Sequence, residues 1–335
     1  MTPWIVTGAA GFVGFHVSAR LLADGEAVVG IDNLNDYYDP MLKQARLDQL
    51  TASSHFEFVK ADLCDETAIE QIFDRHRPKT VINLAAQAGV RYSLIDPMAY
   101  VRTNVLGFTN ILERCRQFEV EHLVYASSSS IYGSTARTPF SEHDPANHPV
   151  SVYAATKRSD ELLAHAYSHL FGLPTTGLRF FTVFGPWGRP DMAYYRFAEA
   201  ILDDRPINVF GSGDALRDFT YIDDIVESVV RVARMPAAPN PQWDVNDPDP
   251  GSSQWPWRVF NVGHGFQATV SRLIDVLEES IGRPAKRTYT AEQPGDVPVT
   301  HADVQDLIRY TGYTPQVDLE AGLTHFVRWL RAYRQ

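Results

Sequence analysis

Tyr153 and Lys157 stand four residues apart in Val152-Tyr153-Ala154-Ala155-Thr156-Lys157, a spacing that puts both on one face of a helix. A phenol titrates near ~10 on its own. An ammonium about 4 Å away at an effective dielectric of ~20 contributes about 4 kcal/mol toward phenolate, enough to make Tyr153 a general base near neutral pH. A run of four hydroxyls, Ser127 to Ser130, supplies donors for the oxygen whose proton such a base removes. A third group of residues binds instead of reacting. Gly8-Ala9-Ala10-Gly11-Phe12-Val13-Gly14 follows a strand-like Trp4-Ile5-Val6-Thr7 and leads into a helical pattern. Glycines at such a turn let backbone approach a pyrophosphate, and the N-terminus of the next helix meets its charge. The spacing is GxxGxxG.

These residues need elements to place them. Apolar runs at 4–7, 27–32, 56–60, 80–84, 122–127 and 175–178 alternate with helix-length segments. Strands apolar on both faces predict a parallel sheet covered on both sides, an α/β Rossmann-type doubly wound fold with ligands at the carboxyl ends of the strands. The serine run ends the fifth such strand and the glycine turn ends the first. Asp32, followed by Asn33, closes the second, where a carboxylate accepts hydrogen bonds from an adenosine ribose and repels a 2′-phosphate, favouring NAD over NADP. Asp-Asn also ends strands as an ordinary turn. Asp62 and Leu63 after the third strand, and Ala85, Ala86 and Gln87 after the fourth, are further cofactor-side candidates, with plain loop as the alternative.

Beyond about residue 179 the alternation becomes irregular and punctuated by Gly and Pro. The expected division is a cofactor-binding domain over 1–178 and a smaller C-terminal α/β substrate-binding domain over 179–335, with some segments returning to the first. Residues 236–257 are proline-rich without apolar period and predict a long surface loop.

The formal net charge of −11 argues against nucleic acid and anionic membrane as partners, so an anionic ligand must be held by local Arg, Lys or backbone N–H groups. No apolar run approaches the ~20 residues of a membrane span, and no leader pattern precedes the first strand. The two cysteines, Cys64 and Cys115, lack metal-ligand spacing and are expected in core positions; a soluble protein of the reducing cytoplasm is expected. His165 and His169 have a metal-pair spacing but no third ligand, so a wet helix face is expected and no metal is required.

The glycine turn, Asp32 and Tyr153-xxx-Lys157 together resemble the extended short-chain dehydrogenase/reductase family over nearly the whole chain. The resemblance implies NAD as cofactor, Tyr153 as base, Lys157 on Tyr153 and the nicotinamide ribose, and Ser128 as the catalytic hydroxyl by its place before Tyr132-Gly133. It implies a nucleotide sugar as substrate, with Arg217 on phosphate and Asn208 and Phe210 on uracil. Relatives with a second phosphate arginine carry it where Gln293 precedes Pro294-Gly295-Asp296, which leaves Arg189 and Arg91 as substitutes. Members that abstract a C5 proton tend to place an acid near the serine run, which here holds only hydroxyls. Arg91-Tyr92-Ser93 and the stretch from Gly177 to Met192 resemble the uronate-acting 4-epimerases of the family, and Thr182 stands where galactose-type members carry Asn. The function implied is 4-epimerisation of UDP-glucuronate by transient oxidation at C4, with Ser129, Ser130 and Thr182 donating to the C6 carboxylate and keeping it near the carbonyl plane, where decarboxylation is slow. UDP-glucose epimerisation, UDP-glucuronate decarboxylation and a non-catalytic NAD-binding regulator stay open. The resemblance also implies a homodimer formed by helices around 97–118 and 150–171.

Overall fold

A computed structural model describes residues 2–135, 137–291 and 297–335; the segment Gln293 to Asp296 singled out above lies outside the described residues. Seven strands form one sheet in the order β10-β6-β5-β4-β1-β2-β3. They are β1 (Trp4–Thr7), β2 (Val28–Asp32), β3 (Phe56–Lys60), β4 (Thr80–Asn83), β5 (His122–Ser128), β6 (Thr175–Phe180) and β10 (Trp257–Val262), all paired parallel. All six strands expected from the sequence are present within a few residues of their predicted ends. The seventh comes from the second half of the chain and pairs with β6, because its own run Trp-Arg-Val-Phe-Asn-Val is buried along its length. Five further strands complete the set: β7 (Thr182–Phe184), β8 (Pro206–Phe210), β9 (Leu216–Tyr221), β11 (Gln267–Thr269) and β12 (Lys286–Thr290). They build a β11-β9-β7 sheet and a β12-β8 pair.

The helices are α1 (Phe12–Ala23), α2 (Pro40–Leu50), α3 (Glu66–His76), α4 (Pro97–Tyr100), α5 (Phe108–Gln117), α6 (Val152–Phe171), α7 (Ala193–Leu202), α8 (Ile222–Ala233), α9 (Val270–Ile281), α10 (Gln305–Thr311) and α11 (Leu319–Tyr333). Between α4 and α5 the chain runs as a π-helix over Val101–Gly107, a wider turn that recurs at functional sites. One apolar cluster takes in Val6, Phe15, Leu178 and Phe260 and continues to Phe184, Tyr194 and Phe326 of the smaller lobe. A second, on the opposite sheet face, packs Ile69 and Phe73 of α3 and Ile111 and Leu112 of α5 on Val29, Val81 and Leu123. Buried on both faces, the sheet fixes its strand ends as a rigid rim.

Two expectations are corrected. Cys115 is a buried core residue, but Cys64 is only half-buried and its thiol donates to the Arg102 carbonyl at 3.2 Å. Of the wet face expected at His165 and His169, His169 is exposed although its ring lies edge-on to Trp255, while His165 is half-buried, edge-on to Trp257 with its Nε2 3.1 Å from the Ser253 hydroxyl.

Candidate active site

The strand order reverses at β1, which lies between β2 and β4, the place where a doubly wound sheet opens a crevice. The Thr7 hydroxyl spans it, donating to Asn83 Oδ1 at 2.7 Å and accepting from the Ala85 amide at 3.1 Å. The turn after β1 admits only glycine at its tightest points: Gly8 has φ +71°, and a Cβ on Gly14 would stand 2.0 Å from the Gly8 carbonyl oxygen. Helix α1 begins behind Gly11 with no side-chain cap, so its first amide donors face the crevice with their partial positive charge. This is a cradle of the right shape and sign for a pyrophosphate.

Asp32 fills the turn role weighed for it and stands where the other would be played. Its Oδ1 accepts from the Leu34 amide at 2.8 Å as a turn residue, while Oδ2 accepts from the Ala10 amide at 3.2 Å and pins the glycine turn. It also lines the crevice, and a carboxylate has lone pairs left for a ribose. Asn33 donates to Asp62 Oδ2 at 2.8 Å. Burial works to raise the Asp62 carboxyl, but hydrogen bonds from Cys64 and Asn33 outweigh it and leave the group below its usual range.

A cavity of about 1170 Å³ extends from this turn into the smaller lobe, larger than the ~300–1,000 Å³ typical for one small ligand. It brings together the candidates for both ligands: Gly8, Gly11, Phe12, Val13, Gly14, Asp32, Asn33, Asp62, Leu63, Ala85, Ala86 and Gln87 at one end, Ser128, Ser129, Ser130, Tyr153 and Lys157 in the middle, and Arg91, Thr182, Arg189, Asn208, Phe210 and Arg217 toward the other.

Helix α6 starts at Val152 because Ser151 caps it, accepting from the Ala154 amide at 3.1 Å. That fixes Tyr153 in the first turn and Lys157 one turn later. The Tyr153 ring meets Tyr100 edge-on at 6.0 Å, and Tyr100 is held by its hydroxyl on the Gly89 carbonyl at 2.5 Å. The serines divide by partner. Ser127, at the cavity wall, donates its hydroxyl proton to Glu161 Oε1 at 2.7 Å. Ser128 Oγ accepts from the Ser130 amide at 3.2 Å and the Ser130 hydroxyl at 2.9 Å, which leaves its own proton for a ligand oxygen.

The substrate-side arginines are already positioned. Arg189 makes a two-pronged pair with Asp191, at 3.0 and 2.6 Å. Arg91 lies over the Phe210 ring at 4.7 Å. Arg217 donates to the carbonyls of Leu216 and Pro298 at 2.9 and 3.2 Å.

Sequence reasoning missed four supports. Asn104, buried in the π-helix, bonds both backbone groups of Gln87 and the Thr156 hydroxyl, tying the loop after β4 to α6. Glu161 is fully buried and closed by Arg179 at 2.9 and 3.0 Å; burial would raise it, and the guanidinium keeps it below the usual carboxylate range. Lys43 lines the cavity near Asp32. The fourth is Asp160, which accepts from Lys157 Nζ at 2.7 Å. The lysine charge is therefore shared with a carboxylate and is not reserved for the phenol, as the helix spacing alone suggested. Of these only the two acids left a signal to read, Asp160 three residues and Glu161 four residues beyond Lys157 on the same helix.

Known proteins resemble the chain throughout. The probable UDP-glucuronate 4-epimerase of Rhizobium meliloti (strain 1021) is 46% identical over 327 residues, 97% of this chain and 96% of that protein. The crystal structure of the UDP-glucuronic acid 4-epimerase of Bacillus cereus in complex with UDP-glucuronic acid and NAD matches with a TM-score of 0.88 at 32% identity, covering 99% of both chains. A UDP-glucose 4-epimerase from Thermotoga maritima, solved with UDP-glucose, gives 0.86 at 29% identity over 99% of this chain and 100% of that one. Residues 4–246 match the sequence model of the NAD dependent epimerase/dehydratase family, and with the glycine cradle, the capped Tyr153-Lys157 helix and the serine turn on one crevice, the chain belongs to that family.

Proposed function

We propose that the protein is an NAD-dependent UDP-glucuronate 4-epimerase. The carrying observation is the single cavity that joins the dinucleotide cradle, the Tyr153-Lys157-Ser128 group and the hydroxyls Ser129, Ser130 and Thr182. The relatives named above are epimerases of this type. The glycine turn, Asp32 and Lys157 would hold NAD, which would supply a reversible acceptor for the C4 hydride.

The residues do the remaining work. Ser128 donates its hydroxyl proton to O4 of the sugar and orients it. Tyr153 takes the O4 proton as C4 becomes a ketone and returns it after the sugar has turned its other face. Ser129 and Thr182 hold the C6 carboxylate near the carbonyl plane, where its carbon bond overlaps poorly with the ketone and carbon dioxide is not lost, and Ser130, whose hydroxyl proton is given to Ser128, joins them only by releasing that bond. Arg217, Asn208 and Phe210 anchor the uridine diphosphate, Arg217 as a planar fork suited to phosphate oxygens, so the sugar is free to rotate about a fixed leash. Arg91, over the Phe210 ring, and Arg189, paired with Asp191, line the same cavity as further phosphate candidates. Cofactor residues fall within 1–178 and most sugar-side residues within 179–335, the division of labour we assign to the two lobes.

Purified protein incubated with UDP-glucuronate and no added NAD is the direct test. UDP-galacturonate of unchanged mass is the expected product. A product lighter by carbon dioxide would make the protein a decarboxylase, conversion of UDP-glucose alone would make it a UDP-glucose epimerase, and no turnover with NAD and either sugar would leave a regulator.

We also infer a homodimer through 97–118 and 150–171. Apolar side chains on these two segments are exposed in the single chain: Leu170 is 66% exposed, Leu162 57% and Met98 57%. A second copy is the natural cover for such a patch. Sedimentation at twice the chain mass, reverting to one chain mass in Leu162→Asp, is the expected result; a wild-type monomer would refute it. Among the described residues no helix is long and apolar enough to cross a membrane. The cytoplasm is the compartment we assign from the two unpaired cysteines, and cell fractionation checks it.

A further inference from the structure

Lys157 and Asp160 form an ion pair in which both side chains are almost wholly buried, 3% and 2% exposed. Lys157 lines the cavity and Asp160 stands behind it, outside the lining. Only one carboxylate oxygen is used. Oδ1 of Asp160 is buried with no hydrogen-bond partner among the described residues, an expensive arrangement for a charged group.

The neighbouring acid shows the contrast. Glu161 has both oxygens engaged, by Ser127, Arg158 and Arg179. Burial pushes the Asp160 carboxyl up, against the pull of the Lys157 ammonium. The charged and titratable groups that face it are Lys157 and Glu161 from α6 and Tyr125 from β5, whose phenol is bonded by Trp257. Arg179 from β6 is committed to Glu161 and Tyr132.

An epimerase asks one side chain to work in both directions. The O4 proton moves to Tyr153 as C4 is oxidised and returns to O4 as C4 is reduced, so nothing is gained or lost overall. A phenolate favoured too strongly takes the proton well and returns it slowly, and the best compromise lies near the working pH. An unopposed ammonium pushes toward the first half-reaction.

We propose that Asp160 is a positioning residue for this reaction: from behind the Lys157 ammonium its carboxylate holds the lysine in place and offsets part of the charge that the lysine presents to Tyr153. The inference rests on the epimerase reading. It concerns the balance of the two half-reactions and not binding.

Two variants separate charge from anchor. Asp160→Asn keeps an oxygen that accepts from Lys157 and removes the charge, while Asp160→Ala removes both. In Asp160→Asn the acidic limb of kcat/KM against pH moves down by about one unit, the order for losing one charge roughly 10 Å from a titrating group at effective dielectric ~20. The absorbance of reduced cofactor during turnover rises several-fold, with KM within about twofold of wild type. Asp160→Ala adds a fall in kcat at every pH. A folded Asp160→Asn protein whose pH profile and reduced-cofactor level superimpose on wild type would overturn the proposal, whatever its kcat. If thermal melting shows that variant unfolded, the position of the acidic limb in Asp160→Ala decides in the same way. Wild-type protein inactive on UDP-glucuronate would refute the substrate assignment instead, and the profiles are then taken with UDP-glucose, whose O4 proton makes the same journey.

Discussion

The Arg46 guanidinium donates to the Ala10 carbonyl in the glycine turn at 2.8 Å, while its other nitrogens reach the carbonyls of Trp187 at 2.7 Å and Gly188 at 3.1 Å. The side chain is fully buried, and the Tyr38 hydroxyl is its remaining acceptor. One cation thus ties the cofactor turn to the loop that carries Arg189. Arg46→Met leaves several buried carbonyls unpaired at ~1–3 kcal/mol each. We expect about 2–4 kcal/mol lower stability in denaturant melts and a loss of co-purifying NAD together with a raised KM for the nucleotide sugar. Loss of stability with both ligands bound normally would show that the two sites are not coupled through it.

Gly14→Ala tests the cradle. The added methyl collides with the Gly8 carbonyl, so the turn must open where the pyrophosphate approaches. NAD affinity by calorimetry should fall at least tenfold, while far-ultraviolet circular dichroism stays that of the wild type.

The serines should part company on mutation. Ser128→Ala removes a donor from the reacting oxygen and should lower kcat by about 10²–10³ with KM little changed. Ser127→Ala weakens the Glu161 network and should cost about 1 kcal/mol of stability with kcat within a few-fold. Steady-state kinetics beside thermal melts read both, and the reverse pattern would move the catalytic role to Ser127.

Glu142 supplies a stability signature in pH. Its side chain is buried, its Oε1 accepts from the Asn261 amide at 2.6 Å, and burial raises it from 4.5 to about 7. Between those values the unfolded chain releases the proton that the folded chain keeps, so stability falls as pH rises from about 4.5 to about 7 and then levels. Glu142→Gln keeps an acceptor without the charge. It should flatten that part of the stability–pH curve by up to about 3 kcal/mol, measured by urea unfolding across the window. Identical slopes in the two proteins would mean that Glu142 is charged in the fold.

The glycine turn, the parallel strands and the Tyr153-Lys157 helix were all legible in the sequence, because each rests on local rules. A turn that needs φ +71° at Gly8 must be glycine, a strand buried on both faces must be apolar, and a helix repeats every 3.6 residues. The cavity lining followed from these, since strand ends in a doubly wound sheet converge. Contacts between distant segments were decided only in three dimensions. Nothing local foretells that Arg46 meets Trp187 across 141 positions, that Asn104 joins Gln87 to Thr156, or that β10 returns to pair with β6. Asp160 shows the limit most sharply. Three residues from Lys157 it reads as an ordinary helical ion pair, and only the tertiary packing removes water from both groups, leaving the side chains 3% and 2% exposed, where a charge interacts more strongly with its neighbours.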